Sequence, residues 1–149
     1  KVVNDITKIK NQKKRNKIGV TNGCFDLLHR GHIFSLKQCK NYCNKLIVLL
    51  NSDKSVRRIK GKGRPIQNEK LRKKNLLKSK FVDKVIIFNQ STPFKVIKKL
   101  KPDYLFKGSD YRNKKIIGKK HVKSYGGEVI ILKNLKGIST TKMIKKFDY

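Results

Sequence analysis

The chain has 149 residues, 37% of them hydrophobic, so it can bury one core and fits a single domain. No apolar run approaches the roughly 20 residues that span a bilayer and no signal peptide is visible, which argues against a membrane protein. The formal charge of +31 makes a nucleic-acid-binding module one candidate class. However, the 33 Lys and 7 Arg are spread over nearly every segment without interleaved aromatics, so we interpret the charge as a global bias that gives nonspecific polyanion binding.

The three cysteines are an odd number without the spacing of a disulfide framework. A reducing cytoplasm is therefore the expected location. Cys39 and Cys43 lie four residues apart on a predicted helix and are expected to be buried, whereas Cys24 falls in a loop.

Hydrophobic periodicity predicts alternating helices and strands. Residues 1–16 carry apolar positions at helical spacing and predict a helical extension ahead of one domain, residues 17–149. Strands are predicted from Lys17, at Lys45–Asn51, Asp83–Phe88, Asp103–Lys107 and Glu128–Leu132. Helices are predicted at Gly31–Cys43, Lys70–Lys80 and Lys114–Tyr125, and from Ser139 onward. A further helix is predicted to begin with Pro93 at its first helical position and to end at Pro102, with Phe94, Ile97 and Leu100 buried. This alternation predicts an α/β fold: a Rossmann-like, doubly wound, parallel five-stranded sheet with helices on both faces.

The segment Gly19–His32, GVTNGCFDLLHRGH, is the most informative stretch. A buried strand leads through a turn at Asn22 and Gly23 into a helix, whose first N–H groups and positive dipole end suit an anion. Gly31 leaves room for a ligand, and His29 and His32 can donate hydrogen bonds to phosphate oxygens. Such fixed donors suit a reaction in which negative charge develops on a phosphoryl group.

Two other interpretations of the histidines remain open. Cys24, His29 and His32 could supply three zinc ligands, although their spacing matches no standard zinc motif. Alternatively, the histidines only cap the helix and pack.

Two further segments are candidate anion sites. The basic segment 55–66 is either a mobile lid that brings positive charge to phosphates or a solvated surface loop. Ser139 and Thr140 begin the last predicted helix and either bind an anion or cap it. Right-handed crossovers place three loops along one edge of the sheet. They are the loop that follows the first strand, called the first loop below, and the loops after Asn51 and Lys107.

The sequence His29-Arg30-Gly31-His32 resembles the HxGH signature of the nucleotidylyltransferase superfamily. Together, TNGCFDLLHRGH, NSDKSVRRIKGKGRPI, DYLFKGSDY and GISTT resemble, in order and interval, the adenylyltransferase domain of ADP-heptose synthases. This resemblance implies transfer of AMP from ATP to D-glycero-β-D-manno-heptose 1-phosphate, with release of pyrophosphate, for the lipopolysaccharide core. It also implies a homodimer and a sugar kinase, separate or fused, since no kinase fits in this chain.

The resemblance also assigns roles to individual residues. His29 and His32 would contact the ATP phosphates, and Lys60 would neutralise the α-phosphate during transfer. Mg²⁺ would bridge the triphosphate, with no metal held by the protein alone. The nucleotide would be bound by Asn22, Gly23, Cys24, Phe25, Gly31, Gly108 and Asp110. Ser139 and Thr140 would bind the outgoing pyrophosphate. Lys62, Arg64 and Arg72 would contact the substrate phosphate.

The alternative relative is glycerol-3-phosphate cytidylyltransferase, which shares HxGH and an ISTT ending. That family generally carries an arginine shortly before this ending, where the present chain has Asn134. The chain also departs from the heptose enzymes, because Ser109 stands where they usually have glycine and Lys70 where an acidic residue is usual.

Overall fold

The structure, a computed structural model, describes residues 17–134. Five parallel strands form one sheet in the order β3-β2-β1-β4-β5, so the predicted doubly wound α/β fold is confirmed. The strands are β1 (Ile18–Gly23), β2 (Lys45–Asn51), β3 (Lys84–Phe88), β4 (Tyr104–Lys107) and β5 (Glu128–Ile131). The predicted extension over residues 1–16 and the helix predicted from Ser139 lie outside the described residues.

Five helices and one short 3₁₀ turn connect these strands within the described residues. The helices are α1 (Arg30–Tyr42), α2 (Asp53–Lys60), α3 (Glu69–Lys78), α4 (Phe94–Leu100) and α5 (Lys119–Ser124), and the 3₁₀ turn is Ser109–Tyr111. None of these helices, within residues 17–134, has the length and apolar character that crossing a membrane requires.

Both faces of the sheet are covered, which explains why β2 reads as an unbroken apolar run. Ile47 and Leu49 pack in the cluster that includes α4, whereas Leu46, Val48 and Leu50 pack on the other face with α1 and α3. All five side chains have no exposed surface. Because the strands are parallel, β1, β2 and β4 end at the same edge, as the sequence predicts.

The prediction of a glycine-broken loop over residues 55–66 is wrong for the first half of that segment, which belongs to the helix α2. Ser52 caps this helix, since its side chain accepts a hydrogen bond of 3.1 Å from the Ser55 N–H. Gly61, with φ of 93°, ends it because that left-handed conformation favours glycine. The irregular basic segment is therefore limited to residues 61–67.

Two other predicted helices begin later than expected. Pro93 lies one residue before the first helical position of α4, and Phe94 is 37% exposed, so its predicted burial is wrong and Val96 packs inward instead. The helix predicted from Lys114 begins only at Lys119, because Gly118 adopts φ of 89° immediately before it.

Gly19 in β1 is required for the close approach of its neighbours. A Cβ atom there would lie 2.5 Å from Phe106 Cε2 and 2.8 Å from Cys43 Sγ. We expect Gly19→Ala to lower the free energy of unfolding by about 1–3 kcal/mol through overpacking, measured by urea denaturation. In a Phe106→Leu background, the same substitution should cost less, and an unchanged cost would contradict this account.

Candidate active site

A cavity of about 180 Å³ opens where β1 ends and α1 approaches. Asn22, Gly23, Cys24, Phe25, Asp26, His32, Lys60 and Arg64 line it. Except for Asp26, all of these residues are among the predicted site residues. The structure therefore brings the first loop and the basic segment together around one space.

His29 and His32 cap the N-terminus of α1 reciprocally. The Nδ1 atom of His29 accepts from the N–H groups of Gly31 at 3.1 Å and His32 at 3.4 Å. In return, the His29 N–H donates to Nδ1 of His32 at 3.3 Å. The two rings stack with centroids 3.8 Å apart and planes 17° apart. This arrangement is a capping box built from two imidazoles.

The capping bonds determine which nitrogen of each ring carries the proton. Since both Nδ1 atoms accept hydrogen bonds, each neutral ring must carry its proton on Nε2. Burial lowers the pKa of His32 to about 3, and the charges of His29 and Lys60 act in the same direction. Burial also lowers the pKa of His29. Both rings are therefore neutral donors, and the buried Nε2 of His29 has no partner within residues 17–134.

Asp26 joins the first loop to the basic segment. This carboxylate is 1% exposed and accepts from the N–H groups of Ile66 at 2.7 Å and Gln67 at 2.9 Å. It also accepts from Arg64 Nε at 3.2 Å, which holds the guanidinium on the cavity wall. The buried NH2 atom of Arg64 has no hydrogen-bond partner among the described residues. A second unsatisfied donor thus lies at this site.

Arg72 does not line the cavity, and its predicted contact with a substrate phosphate is not supported. Its side chain has no exposed surface, and it donates to the carbonyl oxygens of Cys24 and Asn51, both at 2.8 Å. It also donates to Asp53 at 2.8 Å and to the carbonyl of Gln67 at 2.9 Å. Arg72 therefore fastens four chain segments around the cavity from the inside.

The first loop adopts a conformation that the sequence analysis did not predict. Phe25 and Leu27 have φ of 47° and 58°, left-handed values that cost non-glycine residues on the order of 1–3 kcal/mol. The ring of Phe25 lies against His32, with centroids 5.2 Å apart. The contacts of Asp26 and Arg72 hold this loop in place, so the strained backbone forms one wall of the cavity.

Cys24 lines the cavity as a thiol. Burial raises its pKa, against the opposing effect of Lys60, Arg72 and Arg64. Within residues 17–134, no group of three His, Cys, Asp or Glu side chains is placed to hold a metal ion. The zinc interpretation of Cys24, His29 and His32 therefore gains no support.

Lys107 is a charged residue near the site that the sequence analysis missed. It ends β4, is only 7% exposed, and its Nζ donates to Oδ1 of Asn22. The lysine was hard to identify because it is one of 33 in the chain. Its signal is its position: a single charge that ends an apolar strand at the edge where ligands bind.

The other predicted residues do not line the cavity. Gly108 and Asp110 follow Lys107, and a Cβ on Gly108 would lie 2.8 Å from Asp110 Oδ1. Lys62 is exposed, and Gly31 lies in the first turn of α1. Ser139 and Thr140 lie outside the described residues, so their predicted contact with pyrophosphate stays a prediction.

Known relatives support the resemblance over most of the chain. The chain is 50% identical to the bifunctional protein HldE of Paramagnetospirillum magneticum over 137 residues. These matched residues are 92% of this chain and 28% of that protein. The identity to HldE of Rhodopseudomonas palustris strain BisB5 is 47%, over 87% of this chain and 26% of that protein. The chain therefore spans about a quarter of the length of these relatives.

Solved structures agree with this result. The fold is similar to that of a lipopolysaccharide core biosynthesis protein from Thermoplasma volcanium, with a TM-score of 0.65 and 30% identity, covering 83% of this chain and 99% of that one. Pantothenate synthetase from Thermus thermophilus has a TM-score of 0.59 and 12% identity, and the match covers 94% of this chain and 68% of that one. At this identity the similarity shows the fold alone. The model of the cytidylyltransferase-like family matches residues 20–146. The chain belongs to the cytidylyltransferase-like family of nucleotidyltransferases.

Proposed function

We propose that this chain transfers AMP from ATP to D-glycero-β-D-manno-heptose 1-phosphate and releases pyrophosphate. The observation that carries the proposal is an unpartnered donor on the cavity wall, the buried NH2 atom of Arg64, together with the buried Nε2 of His29, which has no partner within residues 17–134 and belongs to the ring stacked on the lining residue His32. Burying an unsatisfied donor costs about 1–3 kcal/mol, so such groups at a cavity indicate a missing acceptor. The phosphate oxygens of a nucleotide are acceptors that suit both groups.

The charges around the cavity favour a phosphoryl group over a neutral ligand. Lys60 and Arg64 contribute positive charge at the cavity wall, and α1 directs its N-terminus toward the same loop. His32 adds a neutral donor. Because these groups are fixed before the ligand arrives, they stabilise developing negative charge with little reorganisation.

Transfer itself requires one phosphate oxygen of the sugar to attack the α-phosphorus of ATP while the bond to the β-phosphate breaks. We assign His29 and His32 to the phosphates that carry the developing charge, and Lys60 to the α-phosphate. The attacking phosphate is ionised at neutral pH, so alignment and charge stabilisation suffice without a protein base. Pyrophosphate leaves with the electron pair of the broken bond.

Mg²⁺ would be held by the nucleotide rather than by the cavity wall. Asp26 is the one carboxylate among the lining residues, and its oxygens already accept from Arg64, Ile66 and Gln67. Mg²⁺ would arrive with the triphosphate and would offset part of its negative charge.

The relatives support the choice of acceptor. The HldE proteins and the lipopolysaccharide core biosynthesis protein favour a heptose phosphate, and HldE is described as bifunctional. We therefore also propose that a fused or separate sugar kinase supplies the acceptor, in the cytoplasm where free cysteines such as Cys24 stay reduced. The family description, cytidylyltransferase-like, favours CTP as the nucleotide of a second candidate function. Its acceptor would be glycerol 3-phosphate, as the resemblance to glycerol-3-phosphate cytidylyltransferase implies.

A substrate panel tests the assignment. We expect the purified protein with Mg²⁺ to release pyrophosphate fastest with ATP and heptose 1-phosphate, measured by a coupled pyrophosphate assay. Faster release with CTP and glycerol 3-phosphate would favour the second candidate. Absence of release with every nucleotide and acceptor would remove the proposed function.

Replacement of His32 tests the role of the neutral donors. His32→Ala should lower kcat by about 10²–10³, the loss expected for a donor that acts in the transition state. The matched control is His121→Ala, a histidine on α5 that does not line this cavity, and it should keep kcat within about twofold. Equal losses in both variants would contradict the role.

The protonation state of His32 can be measured directly. Since its pKa is lowered to about 3, its imidazole should stay neutral as the pH falls from 8 to 5. The ring carbon and proton resonances of His32 in NMR spectra should therefore not titrate in this range. A titration near pH 6.5 would mean that the ring is charged during catalysis at mildly acidic pH.

Arg72 provides a test of how the cavity walls are held. Arg72→Met would leave Asp53 and three buried or part-buried carbonyl groups without this donor, so we expect a loss of about 3–5 kcal/mol in the free energy of unfolding. Lys73→Met, at an exposed position of the same helix, should change it by less than about 0.5 kcal/mol. Urea denaturation of both variants measures the difference, and a loss below about 1 kcal/mol for Arg72→Met would refute this role.

A further inference from the structure

Lys107 is buried at an energetic cost that the fold does not explain. Its side chain is 7% exposed, and burial lowers its pKa to about 8 although Asp110 acts in the opposite direction. No salt bridge to a carboxylate within residues 17–134 offsets this cost. Its contacts are a hydrogen bond to Asn22 and the ring of Tyr111, 5.2 Å from Nζ to the centroid.

The bond to Lys107 determines which end of the Asn22 amide faces the ligand. An ammonium group can only donate, so the oxygen of Asn22 must point toward Lys107. The NH2 group is then the end of the amide that faces away from Lys107. Because Asn22 lines the cavity, this group is available as a donor.

We propose that Lys107 is a positioning residue that holds the Asn22 amide with its NH2 group toward the nucleotide phosphates. This inference rests on the proposed function and adds a neutral donor at the end of β1, in the cavity that Lys60 and Arg64 also line. Without Lys107, the amide of Asn22 can rotate by 180° and turn its oxygen toward the cavity. The partial negative charge of that oxygen would repel an anion. The donor itself belongs to β1, and the neighbouring strand β4 contributes the lysine that orients it.

The position of the two residues in the sheet makes this assignment specific. β1 and β4 are neighbours, and their pairing places the ends of both strands at the ligand-binding edge. Lys107 does not line the cavity itself, so it acts through Asn22. Charged groups with strong pKa shifts at such an edge commonly serve function rather than stability.

A double-mutant cycle tests the proposal. We expect Lys107→Met to lower kcat/KM for ATP about tenfold, the usual size of a lost hydrogen bond to a charged group. Lys107→Arg, which keeps a donor, should recover part of this loss. Asn22→Leu should lower kcat/KM by at least as much, and Lys107→Met should have no further effect in that background. Independent, multiplying effects would overturn the positioning role.

Lys101→Met is the matched control. Lys101 also lies over a tyrosine ring, with Nζ 5.2 Å from the centroid of Tyr125, but it is exposed and follows α4. Its replacement should leave kcat/KM within about twofold of the wild-type value. The melting temperature of Lys107→Met should equal or exceed that of the wild type, because a buried charge has been removed. A large drop in melting temperature would indicate a structural role instead.

The orientation of Asn22 can be tested without catalysis. In ¹H–¹⁵N spectra of the wild type, the side-chain NH2 signals of Asn22 should shift on addition of MgATP and on raising the pH through 8. Both responses should be lost in Lys107→Met. If they persist unchanged, the proposal is wrong even where AMP transfer is observed. If AMP transfer is absent but the pH response depends on Lys107, the proposed function fails and the contact stands.

Discussion

The guanidinium of Arg72 is the contact on which the geometry of the site depends. A buried charge must find acceptors on every side, and the four that Arg72 finds come from the first loop, the end of β2, the start of α2 and the segment before α3. The first loop lines the cavity directly, and α2 and the segment before α3 contribute Lys60 and Arg64 to its wall. The energetic demand of one buried side chain therefore fixes the relative positions of the walls, including the left-handed residues of the first loop.

Each of the two histidines caps α1 through one ring nitrogen and keeps the other for the proposed chemistry. Capping and phosphate binding look like alternatives in the sequence, yet the imidazole has two nitrogens that face different ways. Nδ1 of each ring satisfies the N-terminus of α1, and this bond fixes the proton on Nε2. The cap thus determines the tautomer, and the low pKa of His32 keeps the ring from adding a charge that the lysines already supply.

The sequence predicted what depends on local pattern and missed what depends on distant contacts. The bounds of β2 were predicted correctly because an unbroken apolar run has one explanation in a sheet covered on both sides. The sequence pattern does not reveal the helix α2, because its charged residues hide the Ser52 cap and because a glycine such as Gly61 fits a loop as well as a helix end. Arg72 was assigned to the substrate because no pattern reveals that an arginine in a basic, exposed helix is fully buried.

The charge of the chain and the selectivity of its site are separate properties. A net charge of +31 attracts every polyanion, and this attraction weakens as salt screens it. It cannot distinguish a nucleoside triphosphate from nucleic acid, because lysines on flexible stems follow any phosphate. Discrimination must come from donors whose direction is fixed, and the cavity contains them as neutral imidazoles, an arginine held by Asp26, and an amide turned by Lys107. The contacts that fix these donors are part-buried, so salt screens them less than it screens the exposed lysines. The lysine-rich surface can therefore raise the local concentration of the nucleotide while the few fixed donors select it.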